Sequence, residues 1–149
     1  MIGYSLIPNI IIYAYDATAG MKHEIAKKTV IDLWNSGLGI ISTQVLQEFF
    51  VASTKKLPKP LDKKLAKEII QDLLKWEVMI NDGESILAAI EINLRYNYSF
   101  WDSMIIESAI KSGALLLLSE DLSDGQIING VTIKNPFKTK KWRLRKKPG

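Results

Sequence analysis

Gly113-Ala114-Leu115-Leu116-Leu117-Leu118-Ser119-Glu120-Asp121 decides how this chain folds. A glycine stops the helical pattern before it, five apolar residues follow without a polar break, and two acids stand just beyond. A short unbroken apolar run of this kind suits a strand buried on both faces of a parallel sheet. The acids then fall at that strand's carboxyl end.

Working outward, helices and strands alternate. Upstream, Ser99 caps a helix bearing Met104, Ile105, Ser108 and Ala109, and Asn81-Asp82-Gly83 opens another bearing Ile86, Leu87, Ile90 and Leu94. Before these, the spacing predicts a strand over Val78 to Ile80. A helix starts at an Asp62 cap and reaches Trp76, with Leu65, Ile69, Leu73 and Trp76 on its buried stripe. Leu57 to Pro60 is a turn. Ser42 or Thr43 caps a helix with Val45, Leu46, Phe49, Phe50 and Ala52, and Leu38 to Ile41 is a second buried strand. Ala26, Val30, Leu33 and Trp34 mark a helix over Lys22 to Ser36, ended by Gly37. Downstream, Val131 to Ile133 forms a strand after an acidic, glycine-containing loop. Ile10 to Tyr13 reads equally as a β-branched strand or, from Pro8 at a first helical position, as a short helix over Asn9 to Asp16. Alternating strands and helices argue for a parallel sheet between helical layers, with ligands collecting outside the carboxyl ends of the strands.

The whole chain suits one domain: 149 residues, 47% hydrophobic, can bury a core without staples. No cysteine is present, which removes disulfides, zinc knuckles and thiol chemistry and fits a reducing, cytoplasmic setting. No apolar run is long enough to span a membrane and no leader pattern opens the chain, so the expectation is a soluble protein without a membrane role. The net charge of +4 is uneven. Lys138, Lys140, Lys141, Arg143, Arg145, Lys146 and Lys147 carry seven positive charges with no acid among them, which leaves −3 on the first 137 residues. Such a tail is a solubilising end or a nucleic-acid contact, and Trp142 within it could stack on a base.

Most acids share helix faces with lysines. Glu48, Asp102 and Asp121 do not. Glu48 has Gln44, Val45, Val51 and Ala52 as its helical neighbours, a face where a carboxylate needs a compensating partner. Asp102 stands three residues after Ser99, as a capping acid would, and Asp121 follows the buried strand with Glu120 and Asp124, as an acidic turn would. Taken together, the three converge at one end of a parallel sheet, where a shared metal relieves their repulsion. Oxygen ligands without His or Cys favour Mg2+ or Mn2+ over zinc. A cation so held can activate water against a phosphodiester. His23, the single histidine, lies in a lysine-rich helix start and reads as a surface residue, and no glycine-rich phosphate loop is present. A phospho-acceptor receiver would carry acids at the end of the first strand, where this chain is apolar.

Five segments in order now make a pattern: residues 8–16 (PNIIIYAYD), residues 42–49 (STQVLQEF), residues 99–103 (SFWDS), Ser119-Glu120-Asp121-Leu122 with Asp124-Gly125-Gln126, and Asn135-Pro136-Phe137. With them the chain resembles the PIN-domain family, and within it the small VapC-like ribonuclease toxins, over residues 1 to 137, with 138–149 as a basic tail. The resemblance implies a PIN-like three-layer α/β/α fold with a short parallel sheet flanked by helices. It implies Mg2+- or Mn2+-dependent cleavage of RNA, a homodimer and an antitoxin partner. Glu48, Asp102 and Asp121 fall on three of the family's four acidic positions, with Asp124 as an auxiliary metal acid and Asn9 and Ser119 in support. The fourth departs: where the family carries Asp-Thr-Asn after the first strand, this chain has Ile7-Pro8-Asn9. The resemblance also makes Gly3 to Ile7 the strand and Asn9 onward helical. An isoleucine in place of a carboxylate weakens metal binding, so the expectation is a ribonuclease with an impaired site, the alternative being a silent RNA- or antitoxin-binding member of the same fold.

Overall fold

A computed structural model describes residues 3–138. The chain runs β1 (Tyr4–Leu6), α1 (Pro8–Ala14), a 3-10 turn (Ala17–Ala19), α2 (Met21–Ser36), β2 (Gly39–Ser42), α3 (Thr43–Lys55), α4 (Lys63–Leu73), β3 (Glu77–Met79), α5 (Gly83–Tyr96), α6 (Phe100–Lys111), β4 (Leu116–Leu118), β5 (Ile127–Ile128) and β6 (Val131–Lys134). One sheet has the order β3-β2-β1-β4-β6-β5. Its first five strands are mutually parallel and only β5 runs antiparallel, against β6. This is the expected α/β architecture of a short, mostly parallel sheet flanked by helices.

The central strands are buried because both faces are covered. Tyr4, Leu6, Ile41, Leu117 and Leu118 are inaccessible to solvent, and Phe49 of α3 is sealed in the same core. Truncating Phe49 to Ala would cost about 3–5 kcal/mol. β2 opens on glycine because the Trp76 ring lies against it: a Cβ on Gly39 would meet Trp76 Cε3 at 2.5 Å. Chain order places β1 at the switch point, with β2 on one side and β4 on the other. There the connections diverge and leave a crevice at the carboxyl ends.

The two readings of the N-terminus resolve toward the helix. Pro8 takes the first helical position of α1, and the consecutive residues Ile10 and Ile11 are both buried, which a strand with one wet face does not allow. Other expectations need correction. α4 stops at Leu73 rather than Trp76, its buried stripe is Ala66, Ile69 and Leu73, and Leu65 is 45% exposed because it lies a quarter-turn away from that stripe. Asp62 holds the N-cap position without a side-chain capping bond. The third strand falls one residue earlier than expected, and β5 went unforeseen inside the acidic loop. On α5, Ile86, Leu87, Ile90 and Leu94 face outward, while Ser85, Ala89 and Ile92 are buried. No helix among the described residues is long and apolar enough to cross a membrane.

Candidate active site

Three of the acids singled out from the sequence reach one place. A cleft of about 460 Å3 is lined by Glu48, Asp102 and Asp121 together with Ile7, Pro8, Asn9, Ile12 and Ile105, and by Gln47, Val51, Ala52 and Lys56. It lies at the carboxyl end of the sheet. Ile7 leaves β1, α3 follows β2 directly, and Asp121 comes three residues after β4.

Each carboxylate is delivered by a different local device. Ser42 Oγ accepts from Val45 N–H at 3.2 Å and starts α3, so that Glu48 arrives one and a half turns later, half-buried on the cleft side. Gln44 Nε2 donates to Glu48 Oε1 at 3.2 Å. Ser99 Oγ caps α6 by accepting from Asp102 N–H at 3.1 Å, which is half of a capping box. The Asp102 carboxylate lines the cleft instead of completing that box. The fully buried Ser119 accepts from Leu122 N–H at 3.1 Å and so shapes the turn that carries Asp121. Asn9 Nδ2 then donates to Asp121 Oδ2 at 2.8 Å.

Asp124 goes elsewhere. Its Oδ1 accepts from Asn135 N–H at 2.8 Å, and it is not among the residues lining the cleft. Asp16 caps the 3-10 turn through Thr18 N–H at 3.0 Å, away from the cleft. Ile7, 6% exposed, lines the cleft, and its N–H is anchored to Leu118 O at 3.2 Å. Of the basic tail only Lys138 is described, and it is exposed; Lys140, Lys141, Arg143 and Arg145 lie outside the described residues, with Trp142, Lys146 and Lys147.

Some contributors were not foreseen. Lys56 is the one cation lining the cleft among the described residues. Behind the Asp121 loop, Lys22 pairs with Glu120 while its ammonium sits 5.3 Å from the Tyr13 ring centre and 5.9 Å from that of Phe137. The hydrogen bond to Glu120 raises the Lys22 pKa, and burial followed by the nearby Glu120 raises that of Tyr13. His23 is not idle either, since its Nδ1 meets Tyr13 O at 2.9 Å. The sequence signal for Lys22 was its place next to a helix start, which by itself says nothing about a partner 98 residues away.

The donor set tests whether a divalent cation fits. All three side chains offer hard carboxylate oxygens, with no His or Cys beside them. Among the described residues no three of His, Cys, Asp and Glu stand close enough to enclose a metal. The protein therefore offers only part of a coordination shell. Oxygen donors of this kind would suit Mg2+ or Mn2+, which keep several waters and take one or two carboxylates beside a substrate phosphate, rather than a closed zinc site.

The chain is similar in structure to VapC20 of Mycobacterium tuberculosis, described as a toxin cleaving the sarcin–ricin loop, with TM-score 0.62 and 19% identity over 77% of this chain and 87% of that one. It is similar to a chain of a toxin–antitoxin complex from Klebsiella pneumoniae, with TM-score 0.66 and 18% identity over 92% and 100% of the two. A third likeness is to a chain of DNA-bound VapBC2 from Rickettsia felis, with TM-score 0.64 and 20% identity over 91% and 98%. At such identities these likenesses speak for the fold. The comparison with curated proteins finds no match. The sequence profile described as PIN domain matches residues 9–123, beginning two positions after Ile7 and taking in Glu48, Asp102 and Asp121. With most of its length matched and a mostly parallel sheet flanked by helices in accord, this chain belongs to the PIN-domain family.

Proposed function

We propose that this chain is a divalent-cation-dependent ribonuclease of the VapC toxin type, with Mg2+ or Mn2+ bound in the cleft of Glu48, Asp102 and Asp121, directly to one or two of these acids and through water to the rest, and with Ile7 lowering the affinity. The observation that carries this reading is the convergence of three carboxylates, from α3, α6 and the loop after β4, on one cleft at the carboxyl ends of parallel strands. A cation bound there would polarise a phosphodiester and supply a water acidic enough to attack at neutral pH. Asn9 orients Asp121, Ser119 fixes the turn beneath it, and Asp124 supports that loop through Asn135. Lys56 at the rim offers a counter-charge to a phosphate. RNA is the substrate class this chemistry suits, and an antitoxin partner is supported by the toxin–antitoxin complexes among the structural likenesses. The outward apolar residues of α5 support a homodimer. Residues 1–137 form the catalytic domain, and the basic tail adds phosphate contacts.

One observation favours a second reading, a silent RNA- or antitoxin-binding protein. The cleft is lined by an apolar side chain, Ile7, and among the described residues no three of His, Cys, Asp and Glu stand close enough to hold a metal. Calorimetry with manganese, paired with cleavage of labelled RNA, separates the two. The ribonuclease reading expects Mn2+ binding that disappears in both Asp102→Asn and Asp121→Asn, and cleavage that requires Mn2+. RNA binding without Mn2+ binding would leave the silent reading. Deleting residues 138–149 is expected to flatten the dependence of RNA affinity on salt.

A further inference from the structure

Gln44 sits in the first turn of α3 and is only 5% exposed. Its Nε2 donates to Glu48 Oε1 at 3.2 Å and to the backbone oxygen of Trp101 at 3.1 Å. Both partners are acceptors, so the nitrogen end of the amide must face them and the orientation of the group is fixed by chemistry. The oxygen end is left buried without a partner. A buried amide with one end unsatisfied is unfavourable, and an apolar side chain would serve packing better. What the amide does that an apolar side chain cannot is join Glu48 to the carbonyl just before Asp102. Among the described residues it makes the one hydrogen bond between α3 and α6.

We infer that Gln44 is a positioning residue, resting on the ribonuclease reading: it ties Glu48 of α3 to the first turn of α6, so that the Glu48 and Asp102 carboxylates are presented together to one cation. Without the tie, Glu48 keeps its helix but loses its fixed rotamer, and α6 loses its anchor to α3.

The test uses Gln44→Met, which keeps the length and shape of the side chain and removes both donors. Mn2+ binding by calorimetry is expected to weaken about tenfold, as for loss of one bond to a charged group. Added to Glu48→Gln, Gln44→Met is expected to bring less than a twofold further loss, because the two act through one carboxylate. Gln44→Asn keeps the amide on a stem too short to reach both acceptors, and it should behave like Gln44→Met if the latter does not fold. Wild-type affinity in both variants, or losses that multiply independently of Glu48, would overturn the inference. Should the wild-type protein bind no Mn2+, the ribonuclease reading fails, and Gln44 is judged on cation-free crystals of Gln44→Met. A displaced or multiply placed Glu48 side chain would uphold the tie, and an unchanged one would overturn it.

Discussion

Asn9 donates from Nδ2 to Asp121 Oδ2 at 2.8 Å, joining the first turn of α1 to the loop after β4 across 112 residues of chain. The bond occupies one lone pair of the carboxylate, and among the described residues the other oxygen takes no hydrogen bond. It therefore sets the direction in which Asp121 faces the cleft. The same turn carries Ile7 and Pro8, so the apolar wall and the orienting amide come from one short segment.

Asn9→Leu removes that direction without emptying the turn. Mn2+ affinity is expected to fall by about three- to tenfold, in line with about 1 kcal/mol for one hydrogen bond to a carboxylate. Because the bond is exposed, the melting temperature should change little. Calorimetry and thermal denaturation on the same samples check both halves.

Ile7→Asp places a carboxylate just after β1. Ile7 is nearly buried, and an unpaired charge there is unfavourable, so the cation-free variant should melt below wild type. With Mn2+ present the order should reverse, since a ligand that binds only the folded state stabilises it. Mn2+ affinity is expected to rise at least about tenfold, the scale of one added charged ligand, and RNA cleavage with it. No gain in either would show that Ile7 does not occupy the position of a missing ligand.

Lys22→Met exposes what the Lys22–Glu120 pair contributes. Glu120 is mostly buried, so loss of the ammonium leaves its carboxylate beside Tyr13 and Phe137 without a counter-charge and with Oε1 short of its partner. A destabilisation of about 1–3 kcal/mol is expected from the stranded acceptor. Adding Glu120→Gln should return at least half of it. The hydrogen bond to Glu120 raises the Lys22 pKa in the folded state, so its contribution is whole below the unfolded value and fades only as pH climbs through the raised one. Chemical denaturation near neutral pH is the suitable check.

Asp82 caps α5 by accepting from Ser85 N–H at 2.9 Å, and that bond, with the Ser85 hydroxyl and Lys111, lowers its pKa to about 2. A depressed carboxylate pKa stabilises the fold above the unfolded value and ceases to do so as pH falls through the folded one. Asp82→Asn keeps a capping oxygen and removes the charge. Its melting temperature should lie below wild type at pH 6, with the gap closing as pH approaches about 2. The side chain is exposed, so added salt should narrow the gap as well.

Much of the fold was legible because single features carried it. Ala114 to Leu118 has no polar residue to place on a wet face, and Ser42 and Ser99 are caps that announce their helices. Periodicity says which residues share a face but not which face meets the core. On α5 the larger residues Ile86, Leu87, Ile90 and Leu94 look like the inner stripe, yet the smaller Ser85 and Ala89 are the ones buried. At the site, Glu48 and Asp121 could be placed from topology, since one lies on the helix that follows β2 and the other just after β4, while Asp102 was reached through the Ser99 cap that starts α6. Gln44 and Lys22 could not. Their partners lie 57 and 98 residues away, and only the packing of α6 and of the Glu120 loop brings them within reach.

Everything proposed for this cleft rests on a divalent cation bound among Glu48, Asp102 and Asp121. The most direct test is anomalous diffraction from crystals soaked in manganese. One anomalous peak is expected in the cleft, within coordination distance of Asp102 and Asp121 directly or through water, and absent from Asp121→Asn crystals. A cleft without a peak at saturating manganese, or a peak indifferent to Asp121, would contradict it.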